Sequence, residues 1–238
     1  MTPADGLLVI VPTRGRRANC ERLLGSFRDT ASPGTDLLFV TDPDDTSYED
    51  MDWAPAACGT LAPRGTLQQK LNETATAMAP AYRALMWTGD DHVFKTHGWD
   101  TAMLATLDAM GGHGWVYPQT VRRGDVPEIW LASTSIVETL GWFFPPHVHQ
   151  YYGDNSVAEL GKRSGLIRWC PAAEIPHLHY SVTGDTAYDD VYKEAEAAHG
   201  QPDLLAFRQW QADVMPNEVA RLRRAHSRDV AWVLSKIA

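Results

Sequence analysis

Cysteine is scarce, long apolar runs are absent, acidic residues outnumber basic ones, and no segment repeats or is of low complexity. Each absence removes a class of protein. Cys20, Cys58 and Cys170 are the three cysteines of 238 residues, an odd number with no CxxC spacing. That pattern builds neither a disulfide framework nor a structural zinc site, and buried reduced thiols are expected. No apolar run approaches the roughly 20 residues that a bilayer span requires. Met1-Thr2-Pro3-Ala4-Asp5-Gly6 leads straight into an apolar strand without a basic n-region or cleavage site, so no secretion signal is expected and the chain reads as cytoplasmic. The formal charge of −9 repels polyanions at long range and counts against nonspecific nucleic-acid binding by the whole surface. Local basic patches remain, one from Arg14 to Arg28 and one from Arg221 to Arg228, each alternatively a solvated helix face.

With 44% hydrophobic and 21% charged residues the composition is that of a soluble globular protein. The length fits one large α/β domain, here residues 1–184, with a helical C-terminal extension over 185–238. Leu7-Leu8-Val9-Ile10-Val11 is a continuous apolar run, the pattern of a strand buried on both faces of a parallel sheet. It ends at Pro12. The polar loop Thr13-Arg14-Gly15-Arg16-Arg17 follows, then helical spacing from Ala18 to Phe27. Cations thus stand at the carboxyl end of a strand, where ligands bind in open α/β sheets. A second strand, Asp36 to Thr41, runs into Asp42-Pro43-Asp44-Asp45, whose carboxylates suit a nucleobase or ribose. Thr60 to Pro63 reads as a short strand and Gly65 to Ala75 as a helix. Further strands are expected near Trp115 and over Leu166 to Cys170, with a helix over Trp99–Met110, and Leu131 to Phe143 reads as a strand end followed by a short helix that closes at Gly141. This alternation predicts a mostly parallel central sheet flanked by helices. In the tail, helices are expected over Thr186–His199, Pro202–Met215 and Asn217–His226, the last after a break at Pro216.

The chain is organised around Ala84-Leu85-Met86-Trp87-Thr88-Gly89-Asp90-Asp91-His92, an apolar run that stops at two carboxylates and an imidazole. A buried strand delivers metal ligands in this way; a solvated Asp-Asp turn is the alternative. Downstream, His177 and His179 share one side if the segment is extended. Two imidazoles and an acidic corner make a metal constellation, against the reading of both as structural histidines. Between them, Phe144 to Asn155 is an aromatic loop suited to the wall of a pocket for a flat or sugar-like ligand, with His147 and His149 read as ordinary loop histidines. A helix is expected to start at Asn155, immediately after Asp154.

The order of these features resembles the GT-A glycosyltransferases, in particular the small family-2-like enzymes encoded by bacteriophages, over roughly residues 6 to 192. Val11-Pro12-Thr13-Arg14-Gly15-Arg16 looks like the first nucleotide-binding loop, Asp42 to Asp45 like the acidic end of the second strand, and Gly89-Asp90-Asp91-His92 like the metal-binding DxD region. Gly153-Asp154-Asn155 is similar to the motif that supplies the base in inverting members, and His177-Leu178-His179 matches the histidine that often completes metal binding. The resemblance implies a GT-A fold and a metal-dependent, inverting hexosyl- or pentosyltransferase using a nucleotide sugar, UDP-linked. Asp154 is then the catalytic base. Pro12, Thr13, Arg14, Arg16, Asp42, Asp44, Arg64, Lys70 and Asp90 bind the donor, while Asp91, His177 and His179 hold Mn²⁺ or Mg²⁺, with imidazole favouring Mn²⁺. One departure stands out: a strict DxD needs an acid at 89 or 92, where this chain has Gly89 and His92. Asp90 then touches the ribose or approaches the metal through water. The implied acceptors include a hydroxylated pyrimidine in phage DNA, in the host cytoplasm; a glycan, lipid or protein acceptor competes, as does a nucleotide-sugar binding module without turnover. A nucleotidyltransferase is disfavoured because its glycine-rich phosphate loop is missing.

Overall fold

The structure, a computed structural model, describes residues 4–60, 65–120, 126–178, 188 and 190–237. Its strands are β1 (Ala4–Pro12), β2 (Thr35–Thr41), β3 (Ala57–Thr60), β4 (Tyr82–Trp87), β5 (Trp115–Gln119), β6 (Trp130–Ser133) and β7 (Ile167–Glu174). Its helices are α1 (Arg17–Thr30), α2 (Leu67–Met78), α3 (Trp99–Asp108), α4 (Thr134–Leu140), α5 (Gly153–Ser164), α6 (Asp190–Asp213) and α7 (Met215–Ile237). The strands form one sheet in the order β3-β2-β1-β4-β6-β5-β7, in which only β6 runs antiparallel to its neighbours. The expected mostly parallel sheet flanked by helices is present. Among the described residues no helix is long and apolar enough to cross a membrane.

The unbroken apolar run of β1 has its reason in the two layers it separates. Leu7, Val9 and Val11 face one core with Leu23 and Phe27 of α1 and Trp99, Met103 and Leu107 of α3. Leu8 and Ile10 face the other, with Leu71 of α2, Leu160 of α5, Trp210 of α6 and Leu222 of α7. Because successive strand side chains point to opposite faces, a strand covered on both sides needs apolar residues at every position. The C-terminal helices therefore build part of the second core.

Several boundaries differ from the sequence expectation. β3 starts at Ala57 and ends at Thr60, while Leu61 to Pro63 lie outside the described residues. Cys58 is exposed on that edge strand, whereas Cys20 and Cys170 are buried as expected. α5 begins at Gly153, so Asp154 sits in its first turn instead of preceding it. In the tail, Pro202 lies inside α6, and the break falls at Val214. Pro216 does not interrupt a helix: it occupies the first turn of α7, where a missing N–H costs nothing, and the amides of Asn217 and Glu218 bond back to the Val214 carbonyl at 3.0 and 3.3 Å.

Asp100, 1% exposed at the start of α3, accepts from Ser32 N (2.8 Å), Ser32 Oγ (2.9 Å), Thr35 Oγ1 (2.6 Å) and Thr101 N (2.9 Å). It ties α3 to the α1–β2 connection. Truncation strands those donors, so Asp100→Ala is expected to cost about 3 kcal/mol, read as a lower urea midpoint at unchanged slope. His147 supplies an acid-sensitive contact: its ring stacks on Trp210 at 4.5 Å and its Nε2 lies 3.0 Å from Ser156 Oγ. Burial pushes this imidazole down to about 4, from 6.5. The folded state therefore holds it neutral while the unfolded chain takes up a proton. Its contribution is complete above pH 6.5 and is lost as pH falls toward 4. His147→Gln is expected to flatten the pH dependence of the melting temperature across that window.

Candidate functional site

The site is built at the carboxyl ends of β1, β2 and β4. Past β1, Thr13 Oγ1 donates to Asp90 Oδ2 at 2.6 Å and lies 2.6 Å from the Tyr48 hydroxyl, which accepts from Arg16 N at 3.1 Å. Asn19 Nδ2 donates to Asp90 Oδ1 at 3.3 Å, and Arg16 Nη1 lies 3.5 Å from the same oxygen. Asp90 thus fastens the end of β4 to the β1–α1 loop. Burial pushes its carboxyl up to about 6 against the opposing pull of Arg16. Past β2, Arg14 forks onto Asp44 at 2.7 and 2.9 Å and reaches Asp42 at 3.2 Å. Lys70 Nζ meets Asp42 Oδ2 at 2.9 Å, delivered by α2. The start of that helix is set by a capping box, in which the Thr66 side chain takes the Gln69 amide and the Gln69 side chain takes the Thr66 amide.

Past β4, a short antiparallel contact aligns residues 91–93 with 176–178. His92 bridges His177, the Val93 amide bonds to the Pro176 carbonyl at 3.2 Å, and the Leu178 amide bonds to the Asp91 carbonyl at 2.8 Å. The two imidazoles stack at 4.2 Å and 14°. Asp91 Oδ2 lies 3.2 Å from His177 Nε2, and Oδ1 lies 3.4 Å from His92 Nδ1. Burial alone would raise the Asp91 carboxyl, but His177 and His92 hold it well below the usual range. Burial would lower His177, but Asp91 and Glu128 carry it up to about 9. Asp91 and Glu128 thus favour a positive charge at His177.

These groups line a cavity of about 560 Å³ that runs from Arg14, Asp42 and Lys70 to Asp91, His92 and His177. Glu194, Ala195, Ala198 and His199 of α6 close its far side. A second cavity of about 280 Å³ is walled by Phe144, Tyr151, Tyr152, Gly153 and Asp154. The two share Trp87, Glu128, Gln150 and His177. Gly153 is required where it stands, because a Cβ there would lie 2.2 Å from the Phe144 ring. That close approach seats Asp154 at the second cavity.

No protein-family model and no curated protein sequence matches the chain. Solved structures do. Glucosyl-3-phosphoglycerate synthase from Mycobacterium tuberculosis, in complex with Mn²⁺, UDP and glucosyl-3-phosphoglycerate, superposes with a TM-score of 0.61 at 12% identity, over 86% of this chain and 80% of that one. The mannosyltransferase PcManGT from Pyrobaculum calidifontis, in complex with GDP-Man and Mn²⁺, gives 0.56 at 16% identity, over 97% and 78%. S. aureus TarS 1-349 in complex with UDP gives 0.56 at 12% identity, over 92% and 69%, while only 36% of the longer TarS chain is spanned. The chain has the GT-A glycosyltransferase fold.

Of the residues expected at a GT-A donor site, Pro12, Thr13, Arg14, Arg16, Asp42, Lys70 and Asp90 line the large cavity, with Asp91 and His177. Asp44 lies outside that lining, half exposed and held by Arg14. Arg64 and His179 lie outside the described residues. Asp154 stands apart from the donor groups, in the second cavity. Two further residues belong to the site: His92, which the sequence shows only as the imidazole that ends the acidic stretch, and Glu128, which it does not mark. His92 joins Asp91 and His177, with one potential ligand atom from each within 4.8 Å of the others. Neither of its buried ring nitrogens makes a hydrogen bond, as suits a ligand whose partner is a cation. Its signal was adjacency to Asp91. Glu128 Oε1 lies 3.8 Å from His177 Nδ1, placed there because β6 runs antiparallel to β4, so the amino end of β6 meets the carboxyl end of β4.

The residue set fits a divalent ion, and the space around Gly89 bears on the departure from DxD. A Cβ at 89 would lie 2.7 Å from Asp91 Oδ1 and 3.3 Å from His92 Nδ1, inside the space the ligands use. The expectation is that Gly89→Ala lowers Mn²⁺ affinity about tenfold or more in calorimetry, because it turns the Asp91 carboxylate, while the melting temperature stays near wild type.

Proposed function

We propose that the chain is a metal-dependent, inverting glycosyltransferase that moves a sugar from a nucleotide-sugar donor in the larger cavity to a hydroxyl acceptor in the smaller one. The observation that carries this reading is the join between the cavities. The Asp91–His92–His177 cluster lies at one end of the donor chamber, and Asp154 stands across the shared wall of Trp87, Glu128, Gln150 and His177. Asp91, His92 and His177 would hold a divalent ion, whose charge offsets that developing on the departing diphosphate. Arg16 lines the same chamber and adds a cation near the phosphates. At the other end, Asp42 Oδ1 is buried without a hydrogen-bond partner. Such an oxygen suits the imide N–H of uracil, which supports a UDP-sugar, and it accepts equally from N1–H of guanine.

Asp154 takes the acceptor proton as the hydroxyl attacks the anomeric carbon, and a single displacement inverts the centre. Its place in the first turn of α5 keeps the carboxylate near the positive end of the helix. The aromatic wall of Trp87, Phe144, Tyr151 and Tyr152 suits an acceptor whose hydroxyl is carried by a flat or sugar-like ring. A hydroxylated pyrimidine in DNA has that shape, and the net charge of −9 restricts any duplex contact to a local patch. A glycan presents a ring of similar size and is the second reading, favoured by the same charge. Salt-sensitive binding to duplex DNA carrying hydroxymethylated pyrimidines, weakened by charge reversal at Arg223 and Arg224, separates the two.

The donor reading is tested with a panel of nucleotide sugars and Mn²⁺, which should give slow donor hydrolysis without acceptor. Asp154→Asn is expected to keep donor binding and lose transfer by on the order of 10² to 10⁴. Asp91→Asn should lose the metal-assisted part of donor binding as well. Absence of donor binding in calorimetry, with or without metal, removes the proposal, and binding without turnover by wild type would make the chain a nucleotide-sugar binding module.

A further inference from the structure

One face of α6 makes a continuous seam with the loop that leads to Asp154. His199, Asp203, Phe207 and Trp210 are spaced by four, four and three residues, which puts them on one side of a helix. Each meets a different part of the loop. His199 stacks on His149 at 5.1 Å, Phe207 on Tyr152 at 5.5 Å and Trp210 on His147 at 4.5 Å. At the centre, Asp203 is wholly buried. Its Oδ2 accepts from the amides of Gln150 at 2.8 Å, Tyr151 at 2.9 Å and His149 at 3.1 Å, and its Oδ1 from the His149 amide at 3.0 Å. His149 Nδ1 lies 3.1 Å from that same Oδ1. Three consecutive backbone amides thus converge on one carboxylate, an anion nest filled by the protein itself.

The loop reaches both chambers. The His149 carbonyl accepts from the Gln68 amide at 3.2 Å, in the first turn of the helix that carries Lys70. Gln150 lines both cavities, and Tyr152, at φ +63°, turns the chain into the α5 start where Asp154 sits. A non-glycine residue in the left-handed region persists where its surroundings over-determine it. Here the stack on Phe207 and the amides pinned at 149–151 do so. His149, His199 and Asp203 also lie close enough together to suggest a metal site. Four N–H groups already occupy the two Asp203 oxygens, so the grouping is read as an anchor.

On the glycosyltransferase reading above, we propose that Asp203 is a positioning residue for the acceptor side: from α6 it holds loop 149–152, and through it sets Gln150 and Asp154 against the acceptor. Among the described contacts Arg14, Asp42, Asp91, His92 and His177 share no hydrogen bond with Asp203, and the loop meets the donor side only through the Gln68 amide and Gln150, so the larger effect falls on transfer. Asparagine at 203 keeps the shape, replaces one acceptor oxygen with an N–H₂ that opposes the amides, and removes the charge.

The experiment compares wild type with Asp203→Asn in the full chain by three readouts: donor binding by calorimetry with Mn²⁺, donor hydrolysis against transfer to acceptor, and hydrogen exchange. The expected result is donor affinity within about twofold of wild type, hydrolysis retained, and transfer reduced about tenfold or more. Amides 149–156 should exchange faster while those of β1 and β4 do not change. Equal loss of donor binding, hydrolysis and transfer would make Asp203 a general fold contact and overturn the proposal, as would unchanged transfer. Wild-type exchange at 149–156 overturns it whatever the catalytic arm shows, and that readout stands even if wild type binds no nucleotide sugar, an outcome that removes the functional reading alone. Should Asp203→Asn fail to fold, Phe207→Leu removes only the stack on Tyr152 and is expected to act in the same direction, more weakly; no effect there overturns the proposal.

Discussion

Asp90 is a carboxylate almost wholly withdrawn from water, and the wall of the large cavity depends on how it is satisfied. It is 4% exposed at the end of β4, between Thr13, Asn19 and Arg16. A buried charge without partners is costly, so the β1–α1 loop folds over it and brings its hydroxyl, amide and guanidinium inward. The same contacts align the ends of two adjacent parallel strands. Arg14 is left to reach across to Asp42 and Asp44, and Asp91, one residue on, meets the histidine pair. The two carboxylates thus divide the work, Asp90 holding the β1–α1 loop and Asp91 the histidines, and both line the large cavity.

That division bears on what a sequence can show. The apolar run at Leu7–Val11, the strand-end acids and the Arg loop were legible because each obeys a local rule: burial on both faces, ligands at strand carboxyl ends, cations beside a helix start. The two roles within Asp90-Asp91 were half legible. Asp90 and Asp91 sit in a turn past β4, where the His92 amide bonds back to the Gly89 carbonyl at 3.4 Å, and nothing local says which carboxylate meets Thr13 and which meets a second imidazole. Glu128 was out of reach for a different reason. The βα rhythm of the first half implies parallel strands, and only the reversal at β6 carries an acid from the wrong end of a parallel strand to the right end of an antiparallel one. His92 was seen but assigned to a defect in the motif, since a DxD template asks for oxygen at that place; the contact between 91–93 and 176–178 turns the same residue inward to a nitrogen-rich centre.

The tail shows the same limit. Its helices were legible from composition, but their ends were not, because Pro202 reads as a helix start and Pro216 as a break. Proline is tolerated in the first turn of a helix, and Pro216 is there. Pro202 interrupts the hydrogen bonding of α6 yet does not end it, and the residues that follow it, Asp203, Phe207 and Trp210, are fixed to the loop by contacts outside the helix. Tertiary contacts hold the helix where local propensity would stop it.

The expected boundary at 184/185 lies outside the described residues, but the C-terminal helices on its far side share a core with the sheet. Trp210, Met215 and Leu222 share a core with Leu8, Ile10 and Leu85. The buried carboxylate of Glu218 accepts from the indoles of Trp142 and Trp210 at 3.0 and 2.8 Å, which joins α7, α6 and the end of α4. The first half of α6 walls the larger cavity and its second half grips the loop that walls the smaller one. The helix thus borders the larger cavity directly and meets the wall of the smaller one through Asp203, on which the amides of 149–151 converge.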